Sequence, residues 1–359
     1  MNRIRFGARI FHNSQEPFHS IVERARYCEK QGYDSVTIDD HLLYGTSQAA
    51  APESFTTLAA LALQTRKIHV GIAVTDLVRR HPAIVAQAVG SIANMAPGRV
   101  FLGLGAGDPM NQTPIGLSVQ HRFNRLREGL GIIRLLWNSS IENPVSYQGK
   151  YFTLKSAYLQ TGRLNPKVPV YLAAFGEKML QLTGEEADGW IPHCHTPDSY
   201  GEDLAKIHAA ARTNARKSES IVPSYYTLAC ATKNRDEADR DILGPAKYFL
   251  ALMPEALRKI DRSAHHPGPI WEKISHPRQQ RETIRKIAQT IPDQTALATV
   301  IHGTPNDCIE QIAQFQKSGC REFFLTFVAE AGLWSTKGLT SRIGFFASKV
   351  LSHFSTMKR

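Results

Sequence analysis

The sequence lacks any apolar run near the ~20 residues that a membrane-spanning helix needs, so we expect no membrane insertion. Its start, "MNRIRFGARIF", enters an apolar strand almost at once. It has neither the long apolar stretch nor the small-residue cleavage site of a signal peptide. The five cysteines, at positions 28, 194, 230, 308 and 320, form no Cys-x-x-Cys pair. This scatter argues against a disulfide framework and favours the reducing cytoplasm.

Signatures of nucleic-acid binding are also missing. The formal net charge is +11, but Lys and Arg are spread along the chain, with no helix-turn-helix, zinc-finger or aromatic-basic strand pattern. His193 and His195 have no third ligand at a zinc-site spacing, and no Gly-x-Ser-x-Gly elbow occurs. We therefore expect no metal and no nucleic-acid partner. The basic balance suits an acidic small molecule instead.

What the sequence does contain is a repeated strand-and-helix pattern. Eight short β-rich runs recur along the 359 residues, at 4–11, 34–39, 68–74, 99–105, 168–174, 189–192, 225–231 and 322–328. They are apolar rather than strictly alternating, which is typical of strands covered on both faces. Amphipathic helical patterns separate most of them. The pattern predicts an α/β fold, a (β/α)8 TIM barrel with insertions, and a doubly wound sheet is the alternative.

Two of the helical patterns are clear. After His81, Pro82 suits a first helical turn, and an apolar stripe follows until Pro97-Gly98 ends the helix. The residues of this predicted stripe are Ile84, Val85, Ala88, Val89 and Ile92. The second helix, over 122–137, repeats the pattern with Leu126, Leu130, Ile133 and Leu136.

Two stretches exceed a minimal barrel. Residues 140–166 contain "VSYQGKYFTL", two strand-like runs around Gln148-Gly149, which predicts a hairpin. Residues 233–300 carry charge-rich helical patterns and several prolines, and they are too long for one crossover. Neither a Gly/Ser linker nor an internal duplication is visible, so we interpret both as insertions into one domain, 1–359.

Unusual residues collect where the strands end. The run "DSVTIDDH" closes with Asp39, Asp40 and His41, the fourth strand ends in "GLGAGD", and the fifth leads into "AAFGEK". The carboxyl ends of barrel strands carry the active site in this fold. Exposed N–H groups at Phe175-Gly176 could hold a phosphate, and the glycines at 103, 105 and 107 could let a flat ligand approach the backbone.

These motifs resemble the bacterial-luciferase-like superfamily along nearly the whole chain. The resemblance rests on "DSVTIDDH", "RRHPAIVAQAVGSIANMAPGRVFLGLGAGD", "AAFGEKMLQLTGEEADGWIP" and "GTPNDCIEQIAQFQKSGCREFFL". Within it, the chain looks closest to the branch that uses the deazaflavin coenzyme F420 and includes methylenetetrahydromethanopterin reductase and phthiodiolone ketoreductase. This resemblance implies a TIM barrel, a cofactor that is coenzyme F420 or alternatively FMN, and a homodimer.

The resemblance also implies roles for individual residues. Asp40 would orient His41, and His41 would supply or accept a proton, with Asp108 as the second catalytic candidate. Ala73 and Val74 match a non-prolyl cis peptide that forms a bulge behind the deazaflavin ring, while Asp40 and His41 lie against the ring. The other implied cofactor contacts are Ala106, Gly107, Asn111, Phe175, Gly176, Lys178 and Met179.

Some positions depart from the pattern. Arg9 stands near the place of a glutamate on strand one, and no tryptophan follows His41. His193 and Thr196 replace the Thr and Lys that hold a sugar phosphate, which argues against glucose 6-phosphate as substrate. We expect hydride transfer between the deazaflavin C5 and a carbonyl, alcohol or imine carbon of a small organic substrate. The alternatives are an FMN-dependent monooxygenase and a non-catalytic flavin-binding barrel.

Overall fold

Eight parallel strands close into a barrel in the computed structural model of the chain. The structure describes residues 3–44, 46, 48–161, 164, 166–261, 266–268, 270, 276–330, 332, 333 and 335–356. The barrel strands are β1 (Arg5–Arg9), β2 (Ser35–Ile38), β3 (His69–Asp76), β4 (Val100–Gly105), β5 (Val170–Leu172), β6 (Gly189–Trp190), β7 (Val222–Ala231) and β8 (Glu322–Phe327). Each pairs with the next in the chain, and β8 pairs with β1. All eight predicted runs contain a strand, so the (β/α)8 prediction is confirmed.

Helices cover the outside of the barrel. The longer ones are α1 (His19–Lys30), α2 (Ser54–Gln64), α3 (Pro82–Met95), α4 (Arg122–Trp137), α5 (Glu177–Glu186), α6 (Pro197–Thr213), α7 (Arg235–Leu252), α8 (Pro277–Thr290) and α9 (Pro305–Lys317). Shorter helical segments are Pro109–Gln112, Thr113–Ile115, Ser218–Ser220, Pro254–Ile260, Asp293–Leu297, Leu339–Phe346, Ala347–Leu351 and Ser352–Thr356. Among the described residues, no helix is both long enough and apolar enough to cross a membrane.

The α3 stripe differs from its prediction at one residue. Val85, Val89 and Ile92 are buried, but Ile84 is 57% exposed and Ala86 occupies the inner face instead. The predicted α4 stripe is buried throughout. A helix packed on a barrel buries a narrow face, and Ile84 falls just outside it.

The first insertion forms the predicted hairpin. Val145–Gln148 and Thr153–Ala157 pair as an antiparallel hairpin. The described residues of the second insertion include α7, Pro254–Ile260, α8 and Asp293–Leu297, whereas its residues 262–265, 269 and 271–275 lie outside the described part. Ile301–Gly303 adds a parallel strand to the end of β7. Arg342, on Leu339–Phe346, donates to Glu237 at 2.8 Å and Asp241 at 2.7 Å, so it ties α7 to the C-terminal segment. All five cysteines are buried and free.

Candidate active site

Asp40 lies in a cluster of arginines and is 4% exposed. Arg80 donates to it twice at 2.8 Å, Arg79 donates at 3.0 Å, and the Thr75 hydroxyl donates at 2.5 Å. Burial alone would raise the pKa of this carboxyl, but the arginines and Thr75 lower it to about 2. Asp40 thus anchors the end of β3 and the loop after it. The hydrogen bonds of the Asp40 carboxylate go to Thr75, Arg79 and Arg80 and not to His41, and the orientation of His41 by Asp40 stays a prediction.

Asp39 has different partners. Arg9, at the end of β1, donates to both of its carboxylate oxygens. The hydroxyls of Tyr44 and Tyr226 donate to Asp39 at 3.1 and 3.4 Å. Burial would raise the pKa of Asp39, but the charge and hydrogen bonds of Arg9 lower it. A charged pair therefore stands near the place where the resemblance implies a glutamate in some relatives, and Tyr226 also packs on the aromatic interior of the barrel.

His41 is held by Asn111 and Tyr44. Asn111 is 2% exposed, and its Nδ2 lies 2.9 Å from His41 Nδ1. Asn111 Nδ2 also lies 3.5 Å from an oxygen of Asp108, whose other oxygen accepts from the Met110 N–H at 2.9 Å. The Tyr44 ring stacks on His41 with centroids 4.6 Å apart. The structure thus brings together His41, Asn111 and Asp108, three of the predicted site residues, in one network.

The peptide bond between Ala73 and Val74 is cis, as predicted, and the pairing of β3 with β4 shifts register there. Ala73 and Val74 are half-buried between fully buried neighbours. A Cβ at Gly103 would lie 2.4 Å from the Ile72 carbonyl oxygen, and one at Gly105 would lie 2.8 Å from Val74 Cγ2. These two glycines therefore make room for the bulge, and their role in admitting a flat ligand stays a prediction.

Gly107 must be a glycine for a similar reason. Its φ is +97°, and a Cβ there would lie 1.9 Å from Gln112 Nε2. Gln112 is fully buried and donates to Asp76 at 3.2 Å, and Arg122 donates to the Gly107 carbonyl at 3.0 Å. The contacts of Gln112 and Arg122 therefore fix the loop after β4 on the side away from the mouth of the barrel. The other side of this loop, with the half-buried Ala106, faces the mouth.

The predicted phosphate segment follows β5. Gly176 and Lys178 are exposed, Met179 is half-buried, and Phe175 stacks on His195 with centroids 5.7 Å apart. A cavity of about 470 Å³ opens beside the first turn of α5. It is lined by Phe175, Gly176, Glu177, Glu202, Asp203, Lys206, Glu255, Arg258 and Lys259. Its four carboxylates exceed its three cations, so local charge alone does not make it an anion site.

His193 and His195, after β6, have separate partners. His193 Nδ1 donates to the Tyr226 carbonyl at 2.9 Å, and burial lowers the pKa of His193 to about 4. His195 lies 3.0 Å from Asp203, which also pairs with Lys259. In the described part of the chain, no group of three or more His, Cys, Asp or Glu side chains is arranged to hold a metal ion.

Sequence reasoning missed the residues that hold the site from behind. Arg79 and Arg80 stand at the start of the long motif that carries the family resemblance, and Arg9 drew attention only as a departure from the family pattern. The doubled arginine before His-Pro was a usable signal, because a buried carboxylate needs a cationic partner. The stacking of Tyr44 on His41 had no such signal.

A barrel whose polar side chains meet at the carboxyl ends of its strands is typical of an enzyme. Residues 4–322 match the model of the luciferase-like monooxygenase family. The chain belongs to this family.

Three similar proteins illustrate its range. The chain is 30% identical over 353 residues to phthiodiolone/phenolphthiodiolone dimycocerosates ketoreductase of Mycobacterium tuberculosis, covering 89% of this chain and 91% of that one. It is 28% identical over 329 residues to F420-dependent glucose-6-phosphate dehydrogenase of Nakamurella multipartita, covering 89% of each. A solved F420-dependent secondary alcohol dehydrogenase, in complex with an F420-acetone adduct, superposes with a TM-score of 0.81 at 24% identity, covering 98% and 99%.

Proposed function

We propose that the protein is a coenzyme F420-dependent oxidoreductase acting on a carbonyl, alcohol or imine carbon of a small organic molecule. The observation that carries the proposal is the position of His41, fixed beside Asn111 at the same end of the barrel as the Ala73–Val74 bulge. Two relatives support the proposal: an F420-dependent glucose-6-phosphate dehydrogenase and a ketoreductase. Each aligns with about nine-tenths of this chain.

The residues present fit a deazaflavin. Ala73, Val74 and Tyr226 pack on the aromatic interior and leave a partly open apolar surface, against which a flat ring can lie. The loop after β4 offers backbone groups at Ala106 and Gly107, and the start of α5 offers exposed N–H groups to a phosphate.

In this site the bound cofactor supplies or accepts a hydride. His41 and Asp108 are the two groups that meet the substrate oxygen and its proton, and general acid–base help of this kind is worth ~10² to 10⁴ in rate. Asp40 and Asp39 hold the two loops in place as charged anchors. Phe249 of α7 packs edge-on to His193 at 4.8 Å, so the second insertion contributes to the site wall. Substrate choice then depends on that insertion.

The test is a pair of titrations followed by turnover. Oxidised F420 and FMN are titrated into the purified protein, and the reduced form of each is then offered ketones, imines and, separately, oxygen. We expect tighter binding of F420 and oxygen-independent reduction of a ketone or imine. Tighter FMN binding with oxygen-dependent turnover would establish the monooxygenase alternative, which the description of the matched family favours. Binding without turnover would identify a non-catalytic barrel.

We also propose a cytoplasmic homodimer. Leu63 on α2 and Met95 on α3 are 63% and 46% exposed. Neighbouring barrel helices run parallel, so Leu63 and Met95, near the ends of two such helices, lie at one end of the barrel. The double substitution Leu63→Glu, Met95→Glu should shift sedimentation to the mass of one chain. A chain that sediments as 40.0 kDa without the substitutions would contradict the dimer.

A further inference from the structure

We infer that Asn111 is a positioning residue that fixes the tautomer of His41. In this arrangement the neutral imidazole presents an Nε2–H donor at the mouth of the barrel. The inference rests on the proposed function only for what this donor meets, namely the oxygen of a carbonyl or alcohol.

The orientation of the Asn111 amide follows from its surroundings. Its Oδ1 accepts hydrogen bonds from two consecutive backbone N–H groups, those of Leu42 at 2.8 Å and Leu43 at 2.7 Å. In a side-chain amide only the oxygen accepts hydrogen bonds, so these two N–H donors identify which atom of Asn111 is Oδ1 and which is Nδ2. A flipped amide would set an NH2 group against two N–H groups inside a buried site. Nδ2 must therefore face His41.

The orientation of the Asn111 amide then determines the tautomer of His41. Nδ2 is a donor 2.9 Å from His41 Nδ1, so Nδ1 has to accept and cannot carry a proton. A competing contact, from Nδ1 to the Leu43 carbonyl oxygen, is longer at 3.3 Å. Satisfying that contact would require a protonated Nδ1 and a flipped Asn111, at the loss of three shorter hydrogen bonds. The neutral ring therefore carries its proton on Nε2.

Two further contacts hold this arrangement. The stacked Tyr44 ring fixes the plane of the imidazole, and its hydroxyl is tied to Asp39. Asp108 lies 3.5 Å from Nδ2 and favours the same amide orientation. A doubly protonated His41 would set two N–H groups face to face at Nδ1. His41 therefore polarises the substrate oxygen without giving up or accepting a proton, which leaves proton transfer to Asp108 of the two candidates.

The test reads the tautomer directly, by nitrogen NMR of the ¹⁵N-histidine-labelled full chain near neutral pH without cofactor. The His41 signals are assigned by their loss in His41→Gln. We expect a protonated Nε2 and a bare Nδ1. In Asn111→Asp, one oxygen still accepts from the loop and the other faces Nδ1, so Nδ1 should gain a proton. Asn94→Asp places the same charge on the exposed face of α3 and should leave the His41 signals unchanged.

A kinetic measurement complements the spectrum. With reduced F420 and 2-butanone or cyclohexanone, Asn111→Asp should lower kcat by ~10²-fold and alter its pH profile, whereas Asn94→Asp should not. A bare Nε2 in the unsubstituted protein, or Asn111→Asp with unchanged His41 signals, would overturn the inference. If F420 fails to bind while the tautomer is as stated, the proposed function falls and the tautomer assignment stands. If the enzyme turns over with F420 but carries the reversed tautomer, the tautomer assignment falls and the proposed function stands.

Discussion

Asp39, Asp40 and His41 are consecutive, yet each belongs to a different hydrogen-bond network. Successive side chains at a strand end point to opposite sides, so Asp40 meets the arginines after β3 while Asp39 meets Arg9. His41 is left with Asn111. Two charged anchors therefore precede the His41 ring, and the three titratable residues at the end of a core strand have distinct partners.

The His41 side chain is open to a direct test. In His41→Ala, turnover with F420 should fall by ~10²-fold or more, while F420 affinity changes much less, because the proposed partner of His41 is the substrate oxygen and not the cofactor phosphate. Both quantities are measured, kcat by F420 absorbance and affinity by fluorescence titration. Near-normal turnover would remove His41 from the reaction.

Asp40 should make the free energy of unfolding depend on pH in the acid range. Its pKa in the folded protein is about 2, below the ordinary value of 3.8. The group therefore contributes ~2 kcal/mol to the free energy of unfolding above pH ~4, and this contribution is lost as the pH falls towards 2. Asp40→Asn lacks it at every pH.

The measurement is urea unfolding of both proteins at several pH values. The stability difference between the unsubstituted protein and Asp40→Asn should shrink as the pH falls from 4 to 2. A difference that stays constant over this interval would show that Asp40 is not held as a charged anchor.

Secondary-structure elements were predictable where the signal is local. The strand runs are continuous apolar segments, and the hairpin has a turn at Gln148-Gly149, so neighbouring residues suffice to predict them. The arginine partners of Asp39 and Asp40 lie 30 to 40 residues away in sequence. Such contacts depend on how loops meet above the barrel, which no periodicity records. The same holds for Asn111, whose resemblance-based role as a cofactor contact stays a prediction.

The second insertion offers a test at the level of elements. Arg342 is 8% exposed and pairs with Glu237 and Asp241 of α7. Arg342→Leu would leave the largely buried Asp241 with only its longer 3.7 Å pair to the exposed Arg240, and it should lower the free energy of unfolding by roughly 3 kcal/mol. Lys337→Leu is the control, because its pair with Glu330 is exposed and such pairs contribute little. Urea unfolding compares the two, and equal losses would contradict the role of Arg342 in holding α7.

At the scale of the whole molecule, the charge of +11 is the feature that the active site itself does not explain. The cavity beside α5 contains more carboxylates than cations. We therefore expect the attraction of an anionic cofactor to come from the summed field of the protein and from exposed cations such as Lys178, not from a dedicated pocket. Cofactor binding should therefore have two contributions: charge attraction, which is sensitive to salt, and the apolar contacts of the ring, which are not.

The last prediction measures those two contributions. Coenzyme F420 carries a phosphodiester and a glutamate-bearing tail, so it is more anionic than FMN, and its affinity should fall more steeply between 0.1 M and 1 M salt. Screening shortens the Debye length from ~10 Å to ~3 Å over this range, whereas the apolar contacts of the ring are little affected.

Lys178→Ala should reduce the salt dependence of F420 binding, because Lys178 lies in the first turn of α5. Lys30→Ala removes the same charge at the far end of α1 and should change the salt dependence of F420 binding less. Equal slopes for F420 and FMN would assign cofactor choice to ring contacts alone, and equal effects of the two lysines would assign the salt dependence to net charge rather than to the segment after β5.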